Sequence, residues 1–252
     1  MLAFERRDNI MLKVKQDKKI LVSELSKEFD VSEETIRRDL EKLEKDGAIT
    51  RTHGGATLNS QTSQDIPYQT RNALNKDLKM NIAKKVASLI QENSTLMVDT
   101  SSTVFETINN LKDLDRTITV ITNSIDILYY FQSSSLTLIS TGGSLRKHSH
   151  SLVGTTAEQT LNRYNVDFSI FSCKGLSLKN GIMDSNEPET EIKRTMKERA
   201  NKVILLVDST KIDNEAFINV FSIDEIDYLV TDKKPRQEWI DICEDKDITL
   251  IY

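Results

Sequence analysis

Cysteine is scarce in this 252-residue chain: Cys173 and Cys243 are its only two. Two cysteines give no disulfide framework, and a reducing cytoplasm is their natural home. No apolar run approaches the roughly 20 residues that a membrane span needs. The opening stretch MLAFERRDNI is charged at once, so it is not expected to be a signal peptide. There are three histidines in all. His148 and His150 form H-S-H, but no cysteine or acidic cluster completes a metal site beside them. They are expected to be loop histidines, and no metal or cofactor is expected. A basic excess is missing too. The net charge is −5; residues 1–58 hold 12 Lys+Arg against 12 Asp+Glu, leaving 22 against 27 for residues 59–252. The second segment is therefore not expected to be a second nucleic-acid surface. No internal repeat or low-complexity tract occurs. What remains, at 38% hydrophobic and 29% charged, is a globular chain long enough for a small and a larger domain.

The stretch from Val31 to Ala56, VSEETIRRDLEKLEKDGAITRTHGGA, carries the strongest pattern. Ser32 is placed to cap a helix N-terminus. Ile36, Leu40 and Leu43 then share one helical face, at steps of four and three. Glu34, Arg38, Glu41 and Lys45 point the opposite way, flanked by Thr35, Arg37 and Lys42. Gly47 suits the C′ position that ends the helix. Ala48 to Thr52 suits a strand, and Gly54-Gly55 a tight hairpin turn. A helix with an arginine-bearing outer face is thus followed by a hairpin carrying Arg51 and His53. Upstream, Ile10, Met11 and Val14 mark a first amphipathic helix. Ser23 is placed to cap a second, with Leu25 and Phe29 four apart, and Asp30 makes the turn into the third. Two short helices joined by a tight turn, the second polar outside, form a helix-turn-helix at about residues 20–39. The hairpin makes it winged. Candidate DNA-binding residues are Ser32, Glu34, Thr35, Arg37, Arg38, Arg51 and His53. Arg37 and Arg38 can serve phosphates or base edges.

Residues 58–67, LNSQTSQDIP, are polar and aperiodic and read as a linker, which Tyr68 to Asn75 continues. From Lys76 strands and helices alternate. Ile82, Val86, Leu89 and Ile90 give a helix, and Thr95–Val98 a strand. Phe105, Ile108 and Leu111 mark a helix, Ile118–Ile121 a strand, residues 125–131 a helix and Leu136–Ile139 a strand. Further strands are expected near 168–172, 203–207 and 228–231, with helices near 187–200 and 235–244. Short buried strands alternating with helices mean a mainly parallel sheet covered on both faces.

In such a sheet ligands bind beyond the carboxyl ends of the strands, and the polar clusters fall there. Asp99, Ser101, Ser102 and Thr103 follow one strand and open a helix, a setting suited to an anion. Asn123 ends the next strand, and Gly142 and Gly143 follow another. Lys174 follows the strand near 168–172, and Asp208 and Lys211 bracket the run after 203–207. Lysines neutralise phosphate, and Asp and Asn bind sugar hydroxyls. Each cluster alone has a plainer reading as an N-cap, a turn or a solvated loop. Their recurrence at successive strand ends favours a binding site for a phosphorylated polyol. Cys173 beside Lys174 is expected to be buried and inert.

The run SELSKEFDVSEETIRRDLEKLEKDGAITRTHGGA resembles the N-terminal signature of the DeoR family of bacterial transcriptional regulators, most specifically in TIRRDL and R-x-HGGA. D-TSST at 99–103, ITNS at 121–124, TGGSLR at 141–146, SLVG at 151–154, SCKGLSLKNGIMDSNEPE at 172–189 and VDSTK at 207–211 resemble its effector domain. Ser101 stands where many members have glycine. The resemblance implies a winged helix-turn-helix over 1–58, a linker over 59–75, and an α/β effector domain over 76–252 similar in fold to ribose-5-phosphate isomerases. It implies a repressor of a carbohydrate-utilisation operon, released from double-stranded operator DNA by a phosphorylated sugar, and acting as a homo-oligomer without a membrane. Two alternatives stand beside it. One is a sugar-phosphate isomerase with a DNA-binding arm, in which Asp99 or Asp208 supplies the base. The other is an activator of the same architecture.

Overall fold

The computed structural model describes residues 2–17, 19–45, 48–58, 65–114 and 116–252. The chain divides into two compact units, Met1–Asn75 and Lys76–Tyr252.

The first unit opens with α1 (Ala3–Asp17), β1 (Lys19–Leu21), α2 (Val22–Glu28) and α3 (Glu33–Lys45). The wing follows as β2 (Ile49–Thr52) and β3 (Gly55–Leu58), and α4 (Tyr68–Ala73) comes last. Ile10, Met11, Val14, Leu25, Ile36, Leu40, Leu43 and Ile49 meet in one core. The helical spacing predicted those contacts from α1 and α3. The wing is larger than predicted, because β3 pairs with both β1 and β2 in an antiparallel sheet. Gly55 is required there: a Cβ would sit 1.9 Å from the Ile20 carbonyl oxygen. The same pairing overturns the expectation for Ser23. β1 runs directly into α2, so Leu21 occupies the cap position without a side-chain bond. The Val22 amide instead finds the Gly54 carbonyl of the wing at 2.9 Å. Asp30 makes the turn into α3 with φ of 50°. Gly47 and residues 59–64 lie outside the described residues, as does the side chain of Lys45. Within the stretch expected to be a linker, Tyr68 is buried and Leu74 joins the core of the first unit.

The second unit begins with α5 (Lys76–Val86), β4 (Thr95–Val98), α6 (Ser102–Leu111), β5 (Thr119–Thr122), α7 (Ile125–Tyr130) and β6 (Thr137–Ser140). A hairpin of β7 (Ser144–Arg146) and β8 (Ser151–Val153) leads to α8 (Thr155–Leu161) and β9 (Val166–Ser172). Next come β10 (Gly175–Ser177), β11 (Gly181–Asp184), α9 (Glu187–Glu198), β12 (Ala200–Val207) and β13 (Ile218–Phe221). The chain closes with β14 (Tyr228–Thr231), α10 (Gln237–Asp245) and β15 (Thr249–Ile251). Seven strands form one sheet in the order β15-β14-β12-β9-β4-β5-β6, every pair parallel. Alternate side chains point to opposite faces. Leu96, Val98, Ile204 and Leu206 pack under α5, α6 and α7. Met97 turns to α8 and α9, and Val203, Leu205 and Val207 to α10. Both faces are covered, as the apolar strands predicted. α5 stops at Val86, short of the expected Leu89 and Ile90. The Leu89 amide bonds the Val86 carbonyl at 2.9 Å, a tighter i→i−3 turn that closes the helix.

Candidate functional site

Two surfaces gather the residues singled out by the sequence. The first is the outer side of α3 and its wing. Ser32 caps α3: its Oγ accepts from the Thr35 amide at 3.2 Å and lies 2.9 Å from Thr35 Oγ1. Glu34, Arg37 and Arg38 are exposed, with the Arg38 side chain 77% accessible. Arg51 and His53 are exposed on the wing. A shallow cleft of about 390 Å³ separates helix from wing, with Arg37, Glu44, Arg51 and His53 on its walls.

Each of these arginines faces a glutamate. Arg37 Nη2 donates to Glu33 at 2.6 Å, and Arg38 Nε lies 3.3 Å from Glu34. Arg51 donates twice to Glu44, from Nε at 2.7 Å and from its backbone amide at 3.0 Å. The Glu44 carboxyl is held below its ordinary pKa, chiefly by that amide, with the guanidinium adding to it and burial opposing. Asp39 belongs to the same sequence motif but faces inward. It is buried, with Arg6 at 2.6 Å and Arg7 at 3.5 Å, and so ties α1 to α3. Sequence spacing did not mark it.

The second surface is the carboxyl edge of the seven-stranded sheet. Asp99, Ser101, Ser102 and Thr103 follow β4 and enter α6, and all four are buried. Ser101 caps α6 through the Val104 amide at 3.2 Å, and its own amide donates to Asp99 Oδ1 at 3.0 Å. Asn123 follows β5 and donates to the Leu152 carbonyl at 3.2 Å. Gly142 and Gly143 follow β6 with φ of 64° and 114°, and a Cβ on Gly143 would come within 2.7 Å of the Val153 carbonyl. Lys174 follows β9, partly buried, its amide bonded to the Met183 carbonyl. Asp208 and Lys211 follow β12.

A lysine that the sequence did not single out joins several of these groups. Lys193 Nζ, on α9 and buried, donates to the Ser172 carbonyl at 2.7 Å and to Asp184, and lies 3.2 Å from Asp99 Oδ2. Burial alone would lower its pKa. Asp184 and Asp99 outweigh that, with the hydrogen bond to Asp184 and the charge of Glu189 behind them, and hold it above the ordinary lysine value. Lys211 Nζ donates to Ser172 Oγ at 3.0 Å and lies 3.7 Å from Asp208. A continuous polar chain therefore runs from Asp99 through Lys193 and Ser172 to Lys211 and Asp208, across the ends of β4, β9 and β12. A second chain flanks it. Thr100 Oγ1 donates to the Ser149 carbonyl at 2.9 Å, Arg146 to Ser149 Oγ at 2.8 Å, and Ser151 to Glu189 at 2.8 Å. Thr103 Oγ1 and Asn123 Oδ1, both buried at this edge, have no hydrogen-bond partner among the described residues, while Asp99 Oδ2 has the Lys193 ammonium at 3.2 Å. A depression lined by Gln91, Glu92, Asn93, Asp167 and Lys202 lies at the opposite, amino edge, away from these groups.

Comparison with known proteins decides the family. Residues 6–62 match the model of the DeoR-like helix-turn-helix domain, and residues 74–233 that of the DeoR C terminal sensor domain. This chain belongs to the DeoR family of transcriptional regulators. Among relatives, it is 37% identical to an uncharacterized HTH-type transcriptional regulator of Bacillus subtilis, over 98% of this chain and 96% of that one. It is 34% identical to the L-fucose operon activator of Haemophilus influenzae, over 97% and 98%. It is 33% identical to the HTH-type transcriptional repressor GlcR of Bacillus subtilis, over 98% and 95%. Among solved structures, ribose 5-phosphate isomerase of Methanocaldococcus jannaschii is similar, with a TM-score of 0.42 and 19% identity over 55% of each chain. The DeoR-family chain is a DNA-binding transcriptional regulator and not an enzyme. Among its described residues no helix is long and apolar enough to cross a membrane, and no cluster of His, Cys, Asp or Glu is able to hold a metal. His150 pairs with Asp126 at 2.9 Å. Cys173 and Cys243 are buried free thiols, and burial pushes them up to about 12 and about 11.

Proposed function

We propose that this regulator represses a carbohydrate-utilisation operon and leaves its operator when a phosphorylated sugar occupies the carboxyl edge of the sheet. The supporting observation is the polar chain from Asp99 through Lys193 to Lys211, together with the unpartnered buried oxygens Thr103 Oγ1 and Asn123 Oδ1 beside it. Lysines suit a phosphate, and buried oxygens without partners are costly until a ligand hydroxyl reaches them. Residues 1–58 read DNA, 59–75 connect, and 76–252 sense. Ser32, Glu34, Thr35, Arg37, Arg38, Arg51 and His53 face the duplex. Asp99, Ser101, Ser102, Thr103, Asn123, Gly142, Gly143, Lys174, Asp208 and Lys211 face the effector. One recognition helix reads few base pairs, so the regulator acts as a homo-oligomer on repeated half-sites in the cytoplasm. The coupling is reciprocal: effector weakens operator binding by the factor by which operator weakens effector binding.

Thermal unfolding against a panel of sugar phosphates tests the sensing half. A true effector at 100 times its dissociation constant adds about 2.7 kcal/mol of stability. The same compound must release operator DNA in a gel shift; a compound that stabilises the chain but leaves the complex intact contradicts the proposal. The fucose-operon relative is named an activator, so transcription in vitro with and without the regulator decides the sign.

A further inference from the structure

We propose that Glu44 sets the specificity of the DNA-binding unit by masking the wing arginine, so that Arg51 meets phosphate only where the duplex displaces the carboxylate. The proposal rests on the assignment of the α3–wing face to DNA. Three observations carry it. First, Glu44 and Arg51 belong to different elements, the last turn of α3 and strand β2, whereas the pairs of Arg37 and Arg38 lie within α3. Second, both Glu44 oxygens are used on one residue, Oε2 on the guanidinium at 2.7 Å and Oε1 on the backbone amide at 3.0 Å. The carboxylate thus fixes where the wing sits and which way its arginine points. Third, the pair lines the cleft between helix and wing while both side chains keep about two-fifths of their surface accessible, 38% for Glu44 and 43% for Arg51. An incoming phosphate can therefore reach the guanidinium and compete for it.

The consequence follows from charge. Non-specific DNA binding is almost wholly electrostatic, and each neutralised phosphate steepens the dependence of log affinity on log salt by about 0.9. A segment with equal numbers of basic and acidic residues, whose DNA-facing arginines each carry a glutamate, holds that sequence-independent term down. The exposed pairs on α3 are fluid and weak. The doubly bonded Glu44 is the one that preorganises the wing as well.

The test uses the full chain and two probes. One is a duplex of about 30 base pairs with random sequence; the other is a duplex selected by the wild-type protein from a random pool. Glu44→Gln keeps an acceptor for the Arg51 amide and removes the charge. It is expected to bind the random duplex about threefold more tightly at 50 mM salt relative to 200 mM than wild type does, a slope steeper by up to about 0.9. The selected duplex is expected to gain less, so the ratio between the two falls. Glu44→Ala also loses the wing bond, and is expected to gain on the random duplex while losing on the selected one. A folded Glu44→Gln variant with wild-type affinity and salt slope on the random duplex overturns the proposal. Arg51→Ala separates that failure from failure of the underlying assignment. If Arg51→Ala weakens both probes while Glu44→Gln changes neither, the masking role is wrong and the wing still touches DNA. If Arg51→Ala changes neither, the wing does not face DNA and both fall.

Discussion

Single side chains on this regulator divide into those legible from their neighbours in sequence and those visible only in three dimensions. Arg38 is of the first kind. It lies opposite Ile36, Leu40 and Leu43, and its side chain is 77% exposed. Arg38→Ala is expected to weaken operator binding by about 1–3 kcal/mol without loss of stability. A stable variant with unchanged operator affinity removes Arg38 from the groove face. Lys193 is of the second kind. Within EIKRTMKE it looks like one more solvated helix lysine, and only the crossing of α9 over the ends of β4 and β9 brings it to Asp99 and Asp184. Deleting one partner of a buried ion cluster leaves the others uncompensated. Lys193→Met is therefore expected to destabilise the second unit by about 3–5 kcal/mol. Adding Asp99→Asn and Asp184→Asn should restore part of that loss, and a calorimetric scan in which Lys193→Met melts like wild type contradicts the cluster's role. Cys173 shows a pH dependence with a definite sign. Its folded pKa is raised by burial to about 12, above the ordinary thiol value. The neutral buried thiol thus adds stability that is present in full below the ordinary value and fades as pH climbs toward 12. At pH 8 alkylation of Cys173 should track global unfolding; rapid labelling of the native chain would falsify this.

At the scale of elements, periodicity revealed what packing repeats and missed what pairing creates. The faces of α1 and α3 and the strands β4, β5, β6, β9, β12 and β14 were legible because apolar residues recur at the helical or strand period. The edge strand β15 and the small sheet of β10, β11 and β13 were not, since β10 and β15 are three residues long and β13 reaches β11 from beyond α9 and β12. Ser23 was misread for the same reason. The Val22 amide is satisfied by Gly54 of the wing, a contact no local rule contains. The site shows the same division. In the candidate site, Asp99, Asn123, Gly142, Gly143, Asp208 and Lys211 lie at the carboxyl edge because they follow strands that the periodicity placed, while Asp184, Glu189 and Lys193 come to the edge from a helix and a hairpin. Leu40 tests the element most dependent on packing. It is 1% exposed and packs with Ile36 and Leu43 in the core of the first unit. Leu40→Ala is expected to cost about 2–5 kcal/mol there, read as a lower midpoint in urea for that unit.

For the whole molecule, the hydrophobic clusters of the described residues divide as the units do. One lies within residues 10–74, and the others within 82–251. Separate cores mean separate cooperative transitions, so Leu40→Ala should shift the melting of the first unit and leave that of the second nearly untouched. The same division frames how an effector acts. Lys211 ends the Asp208–Lys211 run at the carboxyl edge and donates to Ser172 Oγ at 3.0 Å. Its ammonium is a point charge suited to a phosphate. If it holds the effector, Lys211→Ala leaves the first unit and its DNA contacts unchanged but removes the differential affinity by which a ligand shifts an equilibrium. The expected phenotype is a repressor that binds its operator normally and no longer releases it. A phosphorylated ligand should lose more affinity than its unphosphorylated parent, because only the former uses the charge. Titrating the inducing sugar phosphate into the complex of Lys211→Ala with operator DNA tests this directly. Release at the wild-type effector concentration places Lys211 outside the site and leaves Lys193 and Lys174 as the cations to examine there.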